Sequence, residues 1–193
     1  MTLVNHTKYL DFKFAKSPNN SDWYYVKRTN DKGLDSAVVV TTLVKIQNEY
    51  CFHFILTKRP PIYAENKAEF CLESPAGLVG DILENESIIE CANKELLEET
   101  GLKADKMFLE LSNSSTSGGL SSETLSYVTA ICYTNKIFSS PISDGGIISE
   151  RLYIKSDEIY NYLNTIDKTK ISVASPTVCG IFFGLKRLEL LTK

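Results

Sequence analysis

Residues 80–102 read GDILENESIIECANKELLEETGL. Ser87 and Glu90 stand as an S-x-x-E capping box, and Gly101 stands where a helix C-terminus favours positive φ. Between them Ile88, Ala92 and Leu96 recur at a spacing of four, with Ile89 and Leu97 widening the apolar stripe. This pattern predicts a helix over 87–100. A second face is crowded with acid, because Glu95 neighbours both Glu98 and Glu99 one turn on. Like charges at that spacing cost about 0.2–0.5 kcal/mol per pair, and acids near the C-terminus oppose the helix dipole. A solvated charged face is the ordinary explanation. A bound divalent cation would remove both penalties, and magnesium favours a few carboxylates completed by water and phosphate oxygens.

Outward from this helix the chain reads as α+β, a mixed sheet covered by helices. SAVVVTTLVKI and YCFHFILTKR flank the polar turn QNE as a hairpin of β-branched and aromatic residues. After RPP and a loop, EFCLESPAGLV suggests a further strand entering a glycine turn. KMFLELS, TLSYVTAICY and ERLYIK read as later strands, with NSSTSGGLSS as a small-residue loop and DEIYNYLNTI as a helix. A C-terminal helix follows Ser175-Pro176, a sound N-cap and first-turn pair. Residues 1–35 are polar and turn-rich and read as a small appendage of short strands; residues 36–193 form the main domain.

Composition narrows the function. The chain has 193 residues, 43% hydrophobic and 23% charged, ordinary for a globular protein with one sizeable core. A net charge of −3 argues against bulk nucleic-acid binding. No stretch approaches about 18 apolar residues, so no membrane span is expected, and no signal peptide is evident. Five scattered cysteines without a CxxC pair read as buried free thiols in a reducing compartment, by default the cytoplasm. The two histidines, His6 and His53, lack partners at catalytic or ligand spacing. Chemistry is therefore expected from carboxylates, hydroxyls, lysine or arginine.

The spacing from Gly80 through Glu86, Lys94, Glu95, Leu96, Glu98, Glu99 and Gly101 to Leu102 is G-x5-E-x7-K-E-L-x-E-E-x-G-L. It resembles the Nudix box, G-x5-E-x7-R-E-U-x-E-E-x-G-U with U aliphatic, and departs from it only at Lys94. Lysine keeps the charge but loses the planar fork. The resemblance implies a mixed sheet sandwiched between helices, and hydrolysis of a nucleoside diphosphate linked to another moiety with Mg²⁺ or Mn²⁺. It also implies that Glu95, Glu98 and Glu99 hold the metal, with the Ala76 carbonyl as a further ligand.

Upstream, ESPAGLV resembles the ExPAGL element of the ADP-ribose pyrophosphatase subgroup, and WYYVKRT and KRPP match that subgroup too. What this implies is an ADP-ribose-type activity giving AMP and ribose 5-phosphate, in a homodimer whose N-terminal segment is the dimerisation appendage. Trp23 becomes a candidate for base stacking, Arg28 and Arg59 for the diphosphate or ribose, and Glu73 for a position near substrate and metals. For Trp23 a core role is the commoner alternative. Ser117–Glu123 puts Gly118 where the subgroup has proline, and its Gly-Gly pair resembles relatives acting on UDP-sugars. By the frame of ERLYIK the subgroup's late catalytic glutamate falls on Ile147, leaving Glu150, Asp144, Glu123 or a box glutamate, Glu98 foremost, to activate water. A UDP-glucose-type pyrophosphatase and a non-cutting nucleotide-sugar sensor are the rival readings.

Overall fold

In the computed structural model, residues 2–29, 36–81, 84–133 and 147–191 are described. The first strands, β1 (Thr2–His6), β2 (Leu10–Lys16) and β3 (Asp22–Arg28), form an antiparallel three-stranded sheet. An eight-stranded mixed sheet follows, begun by the hairpin of β4 (Ser36–Ile46) and β5 (Glu49–Thr57). Ile46 pairs with Glu49 across a two-residue turn in which Gln47 takes φ 57°.

The run after Arg59 differs from the expected loop: α1 (Pro60–Asn66) forms there, with both prolines in its first turn, where their missing N–H groups cost nothing. The single strand expected over EFCLESPAGLV is two, β6 (Phe70–Glu73) and β7 (Ala76–Leu78). Pro75 has no N–H to give a ladder, so the strand stops and changes partner. β6 pairs with the end of β5, whereas β7 pairs with the start of β4. The box helix, α2, spans Ile88–Thr100 with both capping-box bonds formed and Gly101 at φ 75°.

β8 (Lys106–Ser115) and β9 (Thr124–Tyr133) form an antiparallel pair, and β9 runs parallel to β4. β10 (Ile148–Lys155) lies antiparallel along β5. After α3 (Ile159–Thr165) comes β11 (Ile171–Val173), a three-residue strand parallel to β6 that sequence reading missed for its shortness. The chain closes with α4 (Ser175–Leu191).

β4 is buried on both faces, which explains its near-continuous apolar run. Val38, Val40 and Val44 pack with Cys91, Ala92 and Leu96 of α2. Leu43 points the other way, with Phe52, Phe54 and Leu56, into the layer of α3 and α4. Leu97, read as part of the apolar stripe, is 41% exposed; the buried stripe runs through Cys91, Ala92 and Leu96 instead. Of the five thiols four are buried and Cys179 is exposed. No described helix is long and apolar enough to cross a membrane.

His53 is fully buried on the α2 side of β5, edge-on to the Tyr153 ring at 4.7 Å. Burial, reinforced by the nearby Arg151 charge, pushes its pKa down from 6.5 to about 3. Below pH 6.5 the unfolded chain therefore takes up a proton that the folded chain refuses until about pH 3, so stability falls with pH across that window. Between pH 7.5 and pH 5 this site is expected to contribute a loss of about 2 kcal/mol. Urea denaturation of wild type and His53→Leu checks it: the variant should lose correspondingly less over the same interval.

Candidate active site

Along β4 the chain changes partner. Its first residues pair with β7, while Thr42 onward pairs with β5. Beyond His53, β5 continues against β6. Where the strands part, a cavity of about 630 Å³ opens, lined by Arg28, Arg59, Glu73, Ala76 and Glu123 among others.

The proline break sets the chemistry of one wall. Two backbone N–H groups flank Pro75, and the two covering helices take them. Ser74 N donates to Thr177 Oγ1 of α4 at 2.8 Å, and Ala76 N donates to Glu99 Oε2 of α2 at 3.1 Å. The Pro75 carbonyl accepts from Val40 N at 2.8 Å. Glu99 is thereby drawn against the turn between β6 and β7. Burial pushes its pKa up to about 8 against the favourable Ala76 N–H, with the Glu95 charge adding to the rise. Next door, Gly77 leaves room for Glu95: a Cβ at 77 would overlap the Glu95 carboxylate. Burial also raises the Glu95 pKa, opposed by Lys94.

Lys94 serves several acids at once. Its Nζ lies 2.6 Å from Asp81 Oδ1 and 3.4 Å from carboxylate oxygens of both Glu86 and Glu95. Burial disfavours its charge, but Asp81 and the neighbouring groups outweigh that and raise its pKa. Glu86, almost buried, accepts from Gly80 N at 2.9 Å, where Gly80 turns at φ 82°. A compact ammonium replaces the fork of an arginine by sitting between three carboxylates.

Within reach of the Glu99 charge, Arg59 and Glu73 form a forked pair with contacts of 2.7, 3.0 and 3.2 Å. This pairing raises the Arg59 pKa. Arg28 at the end of β3 reaches Glu123 at 2.5 Å. It is carried there because β3 docks on the 116–123 loop of the same chain: Val26 N donates to Leu120 O, and Ser122 N to Val26 O. Trp23 is not in the core. It is 51% exposed, and its indole N–H donates to Gly119 O at 3.0 Å, beside the cavity rather than among its lining residues.

Glu98 is exposed on α2. Among the described residues no three His, Cys, Asp or Glu side chains gather into a metal-binding group. Glu150 lies apart from the cavity: Leu152 and Ile154, two and four residues on, pack in the α3 and α4 layer, and the Glu150 charge acts on Tyr162. Its neighbour Arg151, which sequence reading passed over, faces α2 and donates from Nε and Nη2 to the Glu99 carbonyl at 3.2 and 2.8 Å. Strand alternation with Tyr153 was the available signal. Ile147 is exposed, and its carbonyl accepts from Lys58 N at 2.9 Å. Asp144 lies outside the described residues.

Compared by sequence, the chain matches no family model and no curated protein. Compared by structure, it is similar to an ADP compounds hydrolase, with a TM-score of 0.65 and 16% identity over 97% of this chain and 91% of that one. It is also similar to the Nudix domain of Shewanella oneidensis NrtR, solved with ADP ribose, with a TM-score of 0.56 and 14% identity over 83% of this chain and 94% of that one. The chain has the Nudix fold.

Within this Nudix fold, the loop and helix of residues 80–102 lie beside the PAG turn, and it is Ala76 and Gly77 of the turn, not the box glutamates, that line the cavity. The tightest contact between turn and box is Gly77 against Glu95. Gly77→Ala is expected to destabilise the protein by about 1–3 kcal/mol through overpacking. In a Glu95→Ala background the cost should fall below about 1 kcal/mol. A double-mutant cycle in urea checks this, and an equal cost in both backgrounds would count against the contact.

Proposed function

We propose that this protein is a metal-dependent hydrolase cleaving the pyrophosphate bond of a nucleoside diphosphate sugar, with ADP-ribose giving AMP and ribose 5-phosphate. The observation that carries the reading is the half-buried Glu99 carboxylate, held on the N–H of Ala76, a residue that lines a cavity together with Arg59 and Arg28. An acid partly withdrawn from water beside a cavity that presents two guanidinium groups suits a divalent cation and the diphosphate it neutralises. The similar structures described as an ADP compounds hydrolase and as a Nudix domain with ADP ribose support it.

Glu95 and Glu99 supply hard oxygen donors, and Glu98 and the Ala76 carbonyl complete the proposed ligand set for Mg²⁺ or Mn²⁺. The metal, when bound, would polarise phosphoryl oxygens and acidify water. Arg59 and Arg28 bind the diphosphate, exchanging Glu73 and Glu123 for phosphate oxygens. Glu73 then orients substrate from the cavity wall. Glu98, the exposed box acid, is the proposed acceptor of the proton from attacking water. Trp23, 51% exposed at the cavity edge, offers a ring for the base. Leu3, Val4, Tyr9 and Phe12 leave apolar surface on the N-terminal sheet, which supports a homodimer built on that appendage. The unpaired thiols fit a reducing, cytoplasmic setting.

A UDP-glucose-type specificity remains the second reading, favoured by Lys94 and the Gly118-Gly119 loop. Side-by-side kcat/KM values for ADP-ribose and UDP-glucose with Mg²⁺ and Mn²⁺ discriminate the two. With the preferred substrate, Glu99→Gln should lower kcat/KM by roughly 100-fold or more, at least the upper end of what losing an outer-sphere partner costs. Tight ADP-ribose binding without product under excess Mn²⁺ would instead make this a sensor.

A further inference from the structure

A second cavity, of about 620 Å³, lies between α1 and the segment before β11. Its wall carries Lys58, Arg59, Lys67 and Lys170 against one acid, Glu69, with Tyr63 beside them. Arg59 is held by Glu73, but three lysines remain against one acid in a chain whose net charge is −3. The local partners of these lysines compensate little. Lys170 meets Asp167 at 3.7 Å on exposed surface, where such a pair adds little. Lys58 sits 5.5 Å over the Phe70 ring, and Lys67 donates to the Ala64 carbonyl at 2.5 Å. Among the described residues neither Lys58 nor Lys67 forms an ion pair. Like charges gathered this way repel unless an anion joins them.

We infer that this cavity is a phosphomonoester site, separate from the cleavage cavity and touching it through Arg59, which lines both. A phosphomonoester suits it because its charge is close to −2 at neutral pH and its oxygens accept from several ammonium groups at once. The phenol of Tyr63, 62% exposed, adds a polar edge and a ring face. Two sources share this chemistry: a phosphate borne on the nucleoside diphosphate substrate itself, and free phosphate or another phosphorylated metabolite. An anion here competes with Glu73 for Arg59, so occupancy couples to the neighbouring cavity. That coupling rests on the hydrolase reading; the anion site does not.

Calorimetric titration with inorganic phosphate tests the site without turnover. Lys58→Gln/Lys170→Gln should weaken phosphate binding by at least about tenfold, with the thermal midpoint unchanged, and Lys58→Arg/Lys170→Arg should restore it. Kinetics on ADP-ribose and ADP-ribose 2′-phosphate then separate the sources. If the phosphate belongs to substrate, the glutamine pair raises KM for the phosphorylated compound alone. If it is free, added phosphate alters hydrolysis of ADP-ribose in the wild type and not in the glutamine pair. Phosphate binding that is absent from the wild type, or unchanged in the glutamine pair, overturns the inference. Failure to hydrolyse either compound would sink the hydrolase reading and leave the phosphate result standing.

Discussion

Pro75 has no N–H, and the arrangement of the site follows from where the neighbouring backbone groups then go. A buried donor without a partner costs about 1–3 kcal/mol, so the break between β6 and β7 is stable only if Ser74 N and Ala76 N find acceptors. Thr177 of α4 takes one and Glu99 of α2 takes the other. One interrupted strand therefore ties the sheet to a helix on each face. The same break lets the chain cross from β5 to β4, and Glu73, Ser74, Ala76 and Gly77 on either side of it line the cavity.

Charge is organised around that opening. The helix α2 brings Glu95 and Glu99 against Ala76 and Gly77 of the turn, where both have raised pKa values because burial penalises their ionised forms. Lys94 steadies the adjoining loop from beneath, between Asp81, Glu86 and Glu95. Arg151 holds the carbonyl end of the helix, where a cation also complements the dipole. In the cavity the guanidinium groups are each matched to a carboxylate, Arg59 to Glu73 and Arg28 to Glu123. The arginines of the cavity are thus already matched, while acid stays in excess on the α2 side, where one ammonium, that of Lys94, serves three carboxylates.

Much of this was legible in the chain because it is local. The capping box, the Gly101 terminus and the hairpin strands are decided by residues within a turn or two of one another, and each formed where its pattern placed it. Local chemistry also misled. Pro60-Pro61 read as a loop but opens a helix, because proline is harmless in a first turn. Leu97 joined the apolar stripe by periodicity, yet the face that meets the sheet runs through Cys91, Ala92 and Leu96 and leaves it exposed. Trp23 could be weighed between core and site but not placed, since its partner, Gly119, lies 96 residues away.

The sequence by itself determined the box helix, the acids it carries and the small residues of the PAG turn, since these depend on spacing and on backbone freedom. Tertiary structure decided which carboxylates are buried, which arginines share a cavity, and that Arg151 rather than Glu150 faces the box. Those outcomes depend on strand pairing and on which face meets which layer, contacts between residues far apart in the chain. Periodicity tells that neighbours on a strand face opposite ways; only the packed sheet says which way the candidate site lies.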